Sequence, residues 1–174
     1  MNDVTELFHK ITTFIFDIDG VLTDGTVLVM DNGLQARRMH IKDGFALQMA
    51  VKNGYRVLII SGGNSPQVID RLDKLGITEV HMQVLDKMKF VSDYMKKNKL
   101  KTEEVLYMGD DLPDLPLMAF VGMSCCPADA AEEVKQSAKY ISPVNGGFGC
   151  VRNVIENVLK PNDHWHYRTD IASK

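Results

Sequence analysis

Three short apolar runs dominate the hydrophobic pattern of this chain, and each stops abruptly at small or acidic residues. The runs cover residues 11–16, 56–60 and 105–108. Nearly continuous apolar sequence over four to six residues predicts strands buried on both faces, as in a parallel sheet. The first run leads directly into Asp17-Ile18-Asp19-Gly20, and this stretch is the feature around which we expect the chain to be organised.

Between these strands, apolar residues recur at helical spacing as far as residue 159. The pattern predicts helices at 45–53, 66–75, 87–98, 115–120, 130–136 and 150–159, with further strands at 79–82, 121–125 and 140–141. Asp31-Asn32-Gly33 favours positive φ and hence a small β-hairpin flap between 26–30 and 34–41, directly after the first strand. Lys42-Asp43-Gly44 is expected to lead into the helix at 45–53.

The alternation of strands and helices predicts an α/β fold with a doubly wound, mostly parallel sheet and helices on both faces. With 174 residues, we expect a single domain, with a core at about 12–160 and a tail at 161–174. The segments between the acidic motifs are already used by a hairpin and helices, which predicts that there is no cap domain. Because an uncapped site stays open to water, a neighbouring subunit is the expected source of a lid.

The composition and charge of the chain indicate which classes of partner to expect. The net charge is −3, without a basic stretch that would favour nucleic acid or an anionic membrane surface. The first ten residues are polar, unlike a signal peptide, and the apolar runs are short for a membrane span, so a cytoplasmic protein is expected. The three cysteines lack Cys-x-x-Cys spacing, which predicts reduced, buried thiols and not a zinc site. Small molecules or proteins are the expected partners.

Polar side chains collect where the predicted strands end. Parallel strands meet at one edge of a sheet, so these groups should converge in one crevice. They are Asp17, Asp19, Ser61, Lys87, Asp110, Asp111 and Asp114. Two like charges about 4 Å apart repel by roughly 4 kcal/mol at an effective dielectric near 20, so such an acidic cluster predicts a bound cation. All-oxygen ligation with few carboxylates favours Mg²⁺.

This arrangement suits phosphoryl transfer through a covalent aspartyl-phosphate. Asp17 would attack phosphorus, and Asp19 would protonate the leaving oxygen and then deprotonate the hydrolytic water. Lys87 and the Ser61 hydroxyl would stabilise the equatorial oxygens. Two alternatives use similar groups: a receiver-like phospho-acceptor signalling module, and a catalytically idle assembly domain. An acid/base beside the nucleophile on the first strand favours the enzyme.

The four ordered motifs resemble those of the haloacid dehalogenase superfamily of phosphatases. They read Asp17-Ile18-Asp19-Gly20, Ser61, Lys87 and Gly109-Asp110-Asp111-x-x-Asp114. A fuller pattern is similar to the 3-deoxy-D-manno-octulosonate 8-phosphate phosphatases within it. This pattern consists of Asp19-Gly20-Val21-Leu22-Thr23-Asp24-Gly25, Asp43-Gly44, Arg71-x-x-x-Leu75-Gly76-Ile77, Asp86-Lys87, Gly109-Asp110-Asp111-Leu112-x-Asp114 and Gly146-Gly147-x-Gly149-x-Val151-Arg152.

The resemblance implies a phosphatase for this sugar-acid phosphate, or for a related nine-carbon acid phosphate. It implies Mg²⁺ held by Asp17, the backbone carbonyl of Asp19, and Asp110, with Asp111 and Asp114 in support. Substrate contacts are implied for Lys42, Asp43, Gly44, Ser61, Gly62, Arg71 and Lys87. Family members are tetramers whose C-terminal tails can reach a neighbour's site, so a homotetramer with tail-to-neighbour contacts is expected.

Three positions depart from the family pattern, one of which is Val84 in Gln83-Val84, where the family commonly has Gln-Gly before the Asp-Lys pair. Gly63 stands where the second motif usually carries an arginine, and Phe148 replaces an arginine of the glycine loop. A bidentate guanidinium is not easily substituted in the recognition of a carboxylate. In the tail, His164 and His166 flank Trp165. We expect the tail to pack on a neighbouring subunit or to be disordered, in preference to a role for the two histidines as metal ligands.

Overall fold

The computed structural model describes residues 4–171, which fold into a central sheet flanked by helices. The strands are β1 (Thr13–Phe16), β2 (Leu28–Val29), β3 (Gln35–Ala36), β4 (Arg56–Ile60), β5 (Glu79–His81), β6 (Val105–Met108), β7 (Met123–Cys126) and β8 (Tyr140–Ile141). The α-helices are α1 (Val4–His9), α2 (Ile41–Lys52), α3 (Pro66–Asp73), α4 (Lys87–Asn98), α5 (Leu115–Phe120), α6 (Glu132–Ser137) and α7 (Cys150–Leu159). Residues 1–3 of the polar N-terminus and 172–174 of the expected tail lie outside the described part.

Six strands form one parallel sheet in the order β5, β4, β1, β6, β7, β8. Phe16, at the end of β1, lies beside Ile59 of β4 and Met108 of β6. The loops after these three strands therefore leave from the same edge, where the strand order reverses. Ligands of open α/β sheets bind in this crevice. The predicted doubly wound parallel sheet is confirmed.

Residues along each central strand alternate between two hydrophobic cores. Phe14 and Phe16 of β1 belong to the core under α2, α3 and α7, whereas Ile15 belongs to the core under α4, α5 and α6. All three side chains are fully buried. Because both faces are covered by helices, the strands read as continuous apolar runs. Between residues 4 and 171, none of the helices combines the length and apolar character needed to cross a membrane.

A two-stranded hairpin leaves the sheet after β1. Leu28 of β2 pairs with Ala36 of β3 in antiparallel register, and Gly33 in the turn adopts a φ of 80°. Leu28 and Val29 are 66% and 70% exposed, so the hairpin carries apolar side chains that the described part of the chain leaves open to solvent. The base of the hairpin continues through residues 37–40 into α2.

Several predicted boundaries differ from the structure. Helix α1 was not predicted, although Phe8 is buried in the core. Helix α2 begins at Ile41, not at residue 45, so Lys42, Asp43 and Gly44 form its first turn. Hydrophobic spacing could not locate this start because polar residues occupy that turn and Asp43 is buried through a tertiary contact.

The tail packs against its own chain as far as Ile171, beyond the expected end of the core at about residue 160. Trp165 lies edge-on to Phe45 of α2 with ring centroids 6.1 Å apart, and the Arg152 guanidinium lies 5.3 Å from the Trp165 ring centroid. Ile171 is 7% exposed and joins the core that includes α7. A few apolar side chains separated by polar residues show no periodicity, which explains why the sequence pattern did not reveal this packing.

The tail histidines take different positions in the same segment. His164 Nδ1 lies 2.9 Å from the Tyr55 hydroxyl, and the Asn53 amide donates to the His164 carbonyl. His166 is exposed, with its Nε2 2.8 Å from the Asp163 carbonyl oxygen. His164 thus makes contacts within its own chain, and packing of the tail on a neighbouring subunit stays a prediction.

Candidate active site

Two acidic loops, one after β1 and one after β6, bring three carboxylates together. Oxygen atoms of Asp17, Asp110 and Asp114 lie within 4.8 Å of one another. The register of the strands explains this arrangement, since Asp17 follows the last residue of β1 and Asp110 lies two residues beyond Met108 of β6. These groups line a cleft of about 280 Å³ at the carboxyl edge of the sheet.

The first loop is shaped by a tight turn at Ile18–Leu22. Asp17 accepts a hydrogen bond from the Ile18 amide at 2.7 Å, which fixes its carboxylate at the end of the strand. Gly20 has a φ of 80°, and a Cβ there would lie 1.9 Å from Oδ2 of Asp110. Glycine is therefore needed both for the backbone conformation and to let the two acidic loops meet.

Lys87, the first residue of α4, bridges the two loops. Its Nζ donates to Asp17 and to Asp114, each at 2.6 Å. The Asp86 side chain accepts from the amide of Lys89 and caps the same helix. Burial, the largest single influence, opposes the charge on Lys87, but the two aspartates outweigh it and raise the pKa of the ammonium group. The lysine is therefore held as a cation inside the cleft.

Asp114 has the most complete set of hydrogen bonds in the cluster. One oxygen accepts from Lys87 and from the buried hydroxyl of Tyr107, each at 2.6 Å, and the other accepts from the amides of Asp110 and Asp111. These bonds point its carboxylate at the protein itself, which suits a supporting role. The Asp111 side chain accepts from the amide of Leu112 and caps the turn at Leu112–Asp114.

The electrostatics of the cleft favour a bound cation. Burial raises the pKa of Asp17 to about 6, despite the opposing effect of Lys87. Burial, followed by the charges of Asp17 and Asp114, raises the pKa of Asp110 to about 7. One lysine therefore does not neutralise the three carboxylates. The donors are all oxygen atoms, and this chemistry fits Mg²⁺ as the cofactor.

Asp19 lies at the mouth of the same cleft and points toward the base of the hairpin. Its side chain is 40% exposed, and its Oδ1 accepts from Nε of Arg37 at 2.6 Å. Ser61, which follows β4, is buried and accepts a hydrogen bond from the Gly63 amide at 3.1 Å. A Cβ at Gly63 would lie 3.4 Å from Oδ2 of Asp19 and 3.5 Å from Oγ of Ser61. Gly63 thus lies between Asp19 and Ser61, while Gly62 is exposed, and neither Ser61 nor Gly62 lines the acidic cleft.

The segment expected to contact substrate forms the first turn of α2, and its three residues differ in environment. Asp43 is 1% exposed, and its Oδ1 accepts from the Arg152 amide at the start of α7. The Asp43 carboxylate is enclosed between two helices, and its substrate contact stays a prediction. Gly44 is also buried, and a Cβ there would lie 3.1 Å from a terminal nitrogen of Arg71. Lys42 is exposed, so its substrate contact stays a prediction.

The glycine loop before α7 packs directly on the first acidic loop. A Cβ at Gly146 would lie 1.9 Å from the Gly20 carbonyl oxygen, and the Gly147 amide donates to the Val21 carbonyl. Phe148, in the same loop, is 54% exposed. The loop therefore supports the backbone that carries Asp17 and Asp19, and its two glycines allow the close approach.

Sequence reasoning missed two residues of the site. Arg37 precedes α2 in an exposed hairpin, where arginines are usually solvated, and only the tertiary structure brings it to Asp19. Tyr107 was read as one of the apolar residues of its strand. Its hydroxyl was the available signal, since a buried phenol requires a hydrogen-bond partner.

The chain resembles known proteins in both sequence and fold. A profile of haloacid dehalogenase-like hydrolases matches residues 76–155. The chain is 36% identical to the 3-deoxy-D-manno-octulosonate 8-phosphate phosphatase of Escherichia coli K12 over 157 residues, which cover 90% of this chain and 84% of the relative. The chain belongs to this phosphatase family. The family resemblance of the sequence motifs is thereby confirmed.

Solved structures from this family share the whole fold. The corresponding phosphatase from Yersinia pestis superposes with a TM-score of 0.91 at 32% identity, covering 94% of this chain and 88% of that one. The phosphatase from Moraxella catarrhalis, solved with a magnesium ion, a phosphate ion and a KDO molecule, gives a TM-score of 0.88 at 31% identity, with 92% of each chain covered. The family and the site geometry together indicate a phosphoric monoester hydrolase.

Proposed function

We propose that this protein is a Mg²⁺-dependent phosphatase that hydrolyses 3-deoxy-D-manno-octulosonate 8-phosphate to the free sugar acid and phosphate. The observation that carries the proposal is the cluster of Asp17, Asp110 and Asp114 bridged by Lys87 at the carboxyl edge of the sheet. The similarity of the chain to 3-deoxy-D-manno-octulosonate 8-phosphate phosphatases supports this choice of substrate. The Moraxella structure with KDO also supports a sugar acid as the ligand.

Asp17 serves as the nucleophile. Its carboxylate attacks phosphorus, so that a bond from Asp17 to phosphorus forms while the bond from phosphorus to the sugar oxygen breaks. Asp19 donates a proton to the departing sugar oxygen. Asp19 then takes a proton from water, which attacks phosphorus, releases inorganic phosphate and regenerates Asp17. Although burial raises the pKa of Asp17 to about 6, the group is mostly ionised near pH 7.

Other groups of the cleft position the reacting atoms. Lys87 holds Asp17 and provides positive charge beside the transferring phosphoryl group, and the Ser61 hydroxyl lies on the side of Asp19. Asp17, the backbone carbonyl of Asp19, and Asp110 would hold Mg²⁺, with Asp114 and Asp111 in support. When bound, Mg²⁺ neutralises charge between an anionic nucleophile and an anionic substrate. Arg71, Gly62 and Lys42 are proposed to contact the sugar.

We further propose that the active enzyme is a homotetramer whose subunits partly cover one another's clefts. The exposed apolar side chains of the hairpin support assembly: Val27, Leu28, Val29, Met30 and Leu34 are 38–70% exposed. Light scattering after size-exclusion chromatography tests this proposal. A single exposed-face change, Val29→Ser, should shift the wild-type oligomer toward smaller species, and a monomeric wild-type protein would refute the proposed assembly.

The function is tested by phosphate release from a panel of phosphate esters with and without Mg²⁺. The panel contains the eight-carbon sugar-acid phosphate, a nine-carbon analogue and neutral sugar phosphates. Wild type should turn over the first substrate many times, and only with Mg²⁺. Asp17→Asn should lose at least about a thousandfold in kcat, because a covalent nucleophile is removed.

Asp93→Asn is the matched control, since Asp93 is an exposed partner of Lys89 on α4. This variant should behave as wild type. Equal phosphate release by wild type and Asp17→Asn would refute the mechanism. A stable phosphoprotein without repeated turnover would support the receiver-like alternative instead.

A further inference from the structure

Arg37 lies beside the acidic cleft, although the sequence pattern did not predict it there. Its side chain is only 8% exposed although it comes from the base of an exposed hairpin. Nε and Nη2 of its guanidinium face the two oxygens of Asp19, at 2.6 and 3.4 Å. This is the forked arrangement that arginine forms with carboxylates. The position of Arg37 is therefore already shaped to hold a carboxylate.

The chemistry of the reaction indicates where the sugar portion must lie. Asp19 delivers a proton to the leaving oxygen, so the remainder of the leaving group extends from the phosphate past Asp19. A second cleft of about 400 Å³ opens on that side, between the hairpin and α3. Arg37 and Arg71 line it together with Ser65, Gln67 and the apolar side chains of Met30 and Met39. The leaving group thus enters a space lined by two guanidinium groups.

Gly63 leaves the room that Arg37 needs. A Cβ at position 63 would lie 3.8 Å from Nη2 of Arg37 and 3.4 Å from Oδ2 of Asp19. A long side chain there would compete with the guanidinium for the same space. The loop after β4 therefore supplies no cation, and the hairpin brings one to the same place.

We propose that Arg37 determines substrate specificity by binding the carboxylate of the leaving group. When substrate enters the cleft, the Arg37 guanidinium gives up Asp19 and pairs with this carboxylate instead. The inference rests on the proposed function and adds the group that recognises the acid. Arg37 must release at least part of Asp19, because the leaving oxygen approaches the same carboxylate. A substrate carboxylate in the second cleft offers the guanidinium an equivalent forked partner. A neutral sugar phosphate would leave the buried guanidinium without that partner.

The test compares two substitutions, Arg37→Gln and Arg37→Lys, with the control Arg38→Gln. Arg38 is the next residue of the hairpin, pairs with Asp24 and is 75% exposed, so the control removes the same charge outside the cleft. Each protein is assayed with the sugar-acid phosphate and with its carboxamide analogue. Inhibition constants are measured for the free sugar acid and for inorganic phosphate, and urea unfolding checks that every variant is folded.

Arg37→Gln should raise the KM of the sugar-acid phosphate about 10- to 100-fold, as expected for a lost hydrogen bond between charged groups. The KM of the carboxamide should change less than about threefold, in line with the small worth of a neutral contact. The inhibition constant of the sugar acid should rise, and that of phosphate should stay unchanged. Arg37→Lys should recover only part of the loss, since lysine lacks the fork.

Equal losses for both substrates would overturn the inference, because Arg37 would then act only through Asp19. Unchanged kinetics in Arg37→Gln would overturn it as well, while the proposed function would stand. A wild-type enzyme that does not hydrolyse the sugar-acid phosphate would refute the proposed substrate and the inference together. Hydrolysis without a preference over the carboxamide would refute the inference alone.

Discussion

Replacing Asp43 by asparagine should stabilise the protein at neutral and alkaline pH. Asp43 is 1% exposed, and its Oδ1 accepts from the Arg152 amide at 2.7 Å, which an amide oxygen can also do. Among residues 4–171, neither its Oδ2 nor Nδ1 of His40 has a hydrogen-bond partner, although both atoms are buried. An amide nitrogen in place of Oδ2 needs an acceptor, and the expected gain in stability requires that the imidazole of His40, whose charge acts on Asp43, supply it. Asp43→Asn therefore removes a buried charge while keeping the shape and the helix-to-helix bond.

The size of the effect follows from the pKa of Asp43. Burial raises it from 3.8 to about 6, against the backbone hydrogen bond from Arg152 and the charge of His40. The folded state thus binds the proton more tightly than the unfolded state. Stability from this group is present below pH 4 and is lost as the pH rises to about 6. A shift of about two units corresponds to roughly 3 kcal/mol, which is an upper limit for the gain.

The assay is urea unfolding of wild type and Asp43→Asn at pH 4, 6 and 8. The variant should be more stable by about 1–3 kcal/mol at pH 8, and the difference should shrink toward zero at pH 4. Asp17 and Asp110 also have raised pKa values, but they affect both proteins equally and cancel in the difference. Asp24→Asn is a control of opposite sign, because hydrogen bonds from Thr26 and Arg38 lower the pKa of Asp24.

A variant less stable than wild type at pH 8, or a difference independent of pH, would refute this account of Asp43. The kinetics provide a second criterion. If Asp43 only connects α2 to α7, the KM of the substrate should change less than about threefold, the size of a weak indirect effect. A large rise in KM with normal stability would instead support the direct contact that the family resemblance implied.

Three further predictions concern the site and the tail. Tyr107→Phe should lower kcat about tenfold with little change in KM, because Asp114 loses a buried hydrogen-bond donor. The control Tyr140→Phe removes a hydroxyl bonded to Asn153 and should leave kcat unchanged. A kcat of Tyr107→Phe equal to that of wild type would contradict the role of Tyr107. The Mg²⁺ concentration for half-maximal activity should rise about tenfold or more between pH 8 and 5.5, because protons compete for Asp110 whose pKa is about 7, and a flat profile would contradict this. Removing residues 160–174 should lower the free energy of unfolding, measured in urea, by about 3 kcal/mol, because the packing of the tail on the core is lost. An unchanged free energy of unfolding would show that these contacts do not stabilise the fold.

The sequence predicted the sheet well because buried parallel strands carry their own signal. The apolar runs at β1, β4 and β6 required no knowledge of the fold, and each strand appears where the pattern placed it. The start of α2 and the whole of α1 were missed for the opposite reason. In the first turn of α2, Lys42 and Asp43 are polar, and Asp43 is buried only by its contact with α7. Helix α1 has only 6 residues, and its apolar Phe8 becomes buried only by packing on the core.

The residues of the active site also divide into those that the sequence could predict and those that it could not. Asp17, Lys87 and Asp110 could be named from their place at strand and helix ends, because a parallel sheet forces these positions to one edge. The predicted substrate residues on α2 and α3 proved harder to place. A residue on an exposed or amphipathic segment can face solvent, a helix or the cleft, and local sequence does not distinguish these outcomes.

By itself, the sequence determined the doubly wound sheet, the acidic cluster and hence the class of chemistry, because these depend on local hydrophobic periods and on which residues follow a strand. Only the tertiary structure decided that Arg37 faces Asp19, that Tyr107 donates to Asp114 and that Trp165 packs on Phe45. These contacts join segments far apart in the chain. Their free energy comes from burial and hydrogen bonding that exist only after the sheet and helices have assembled.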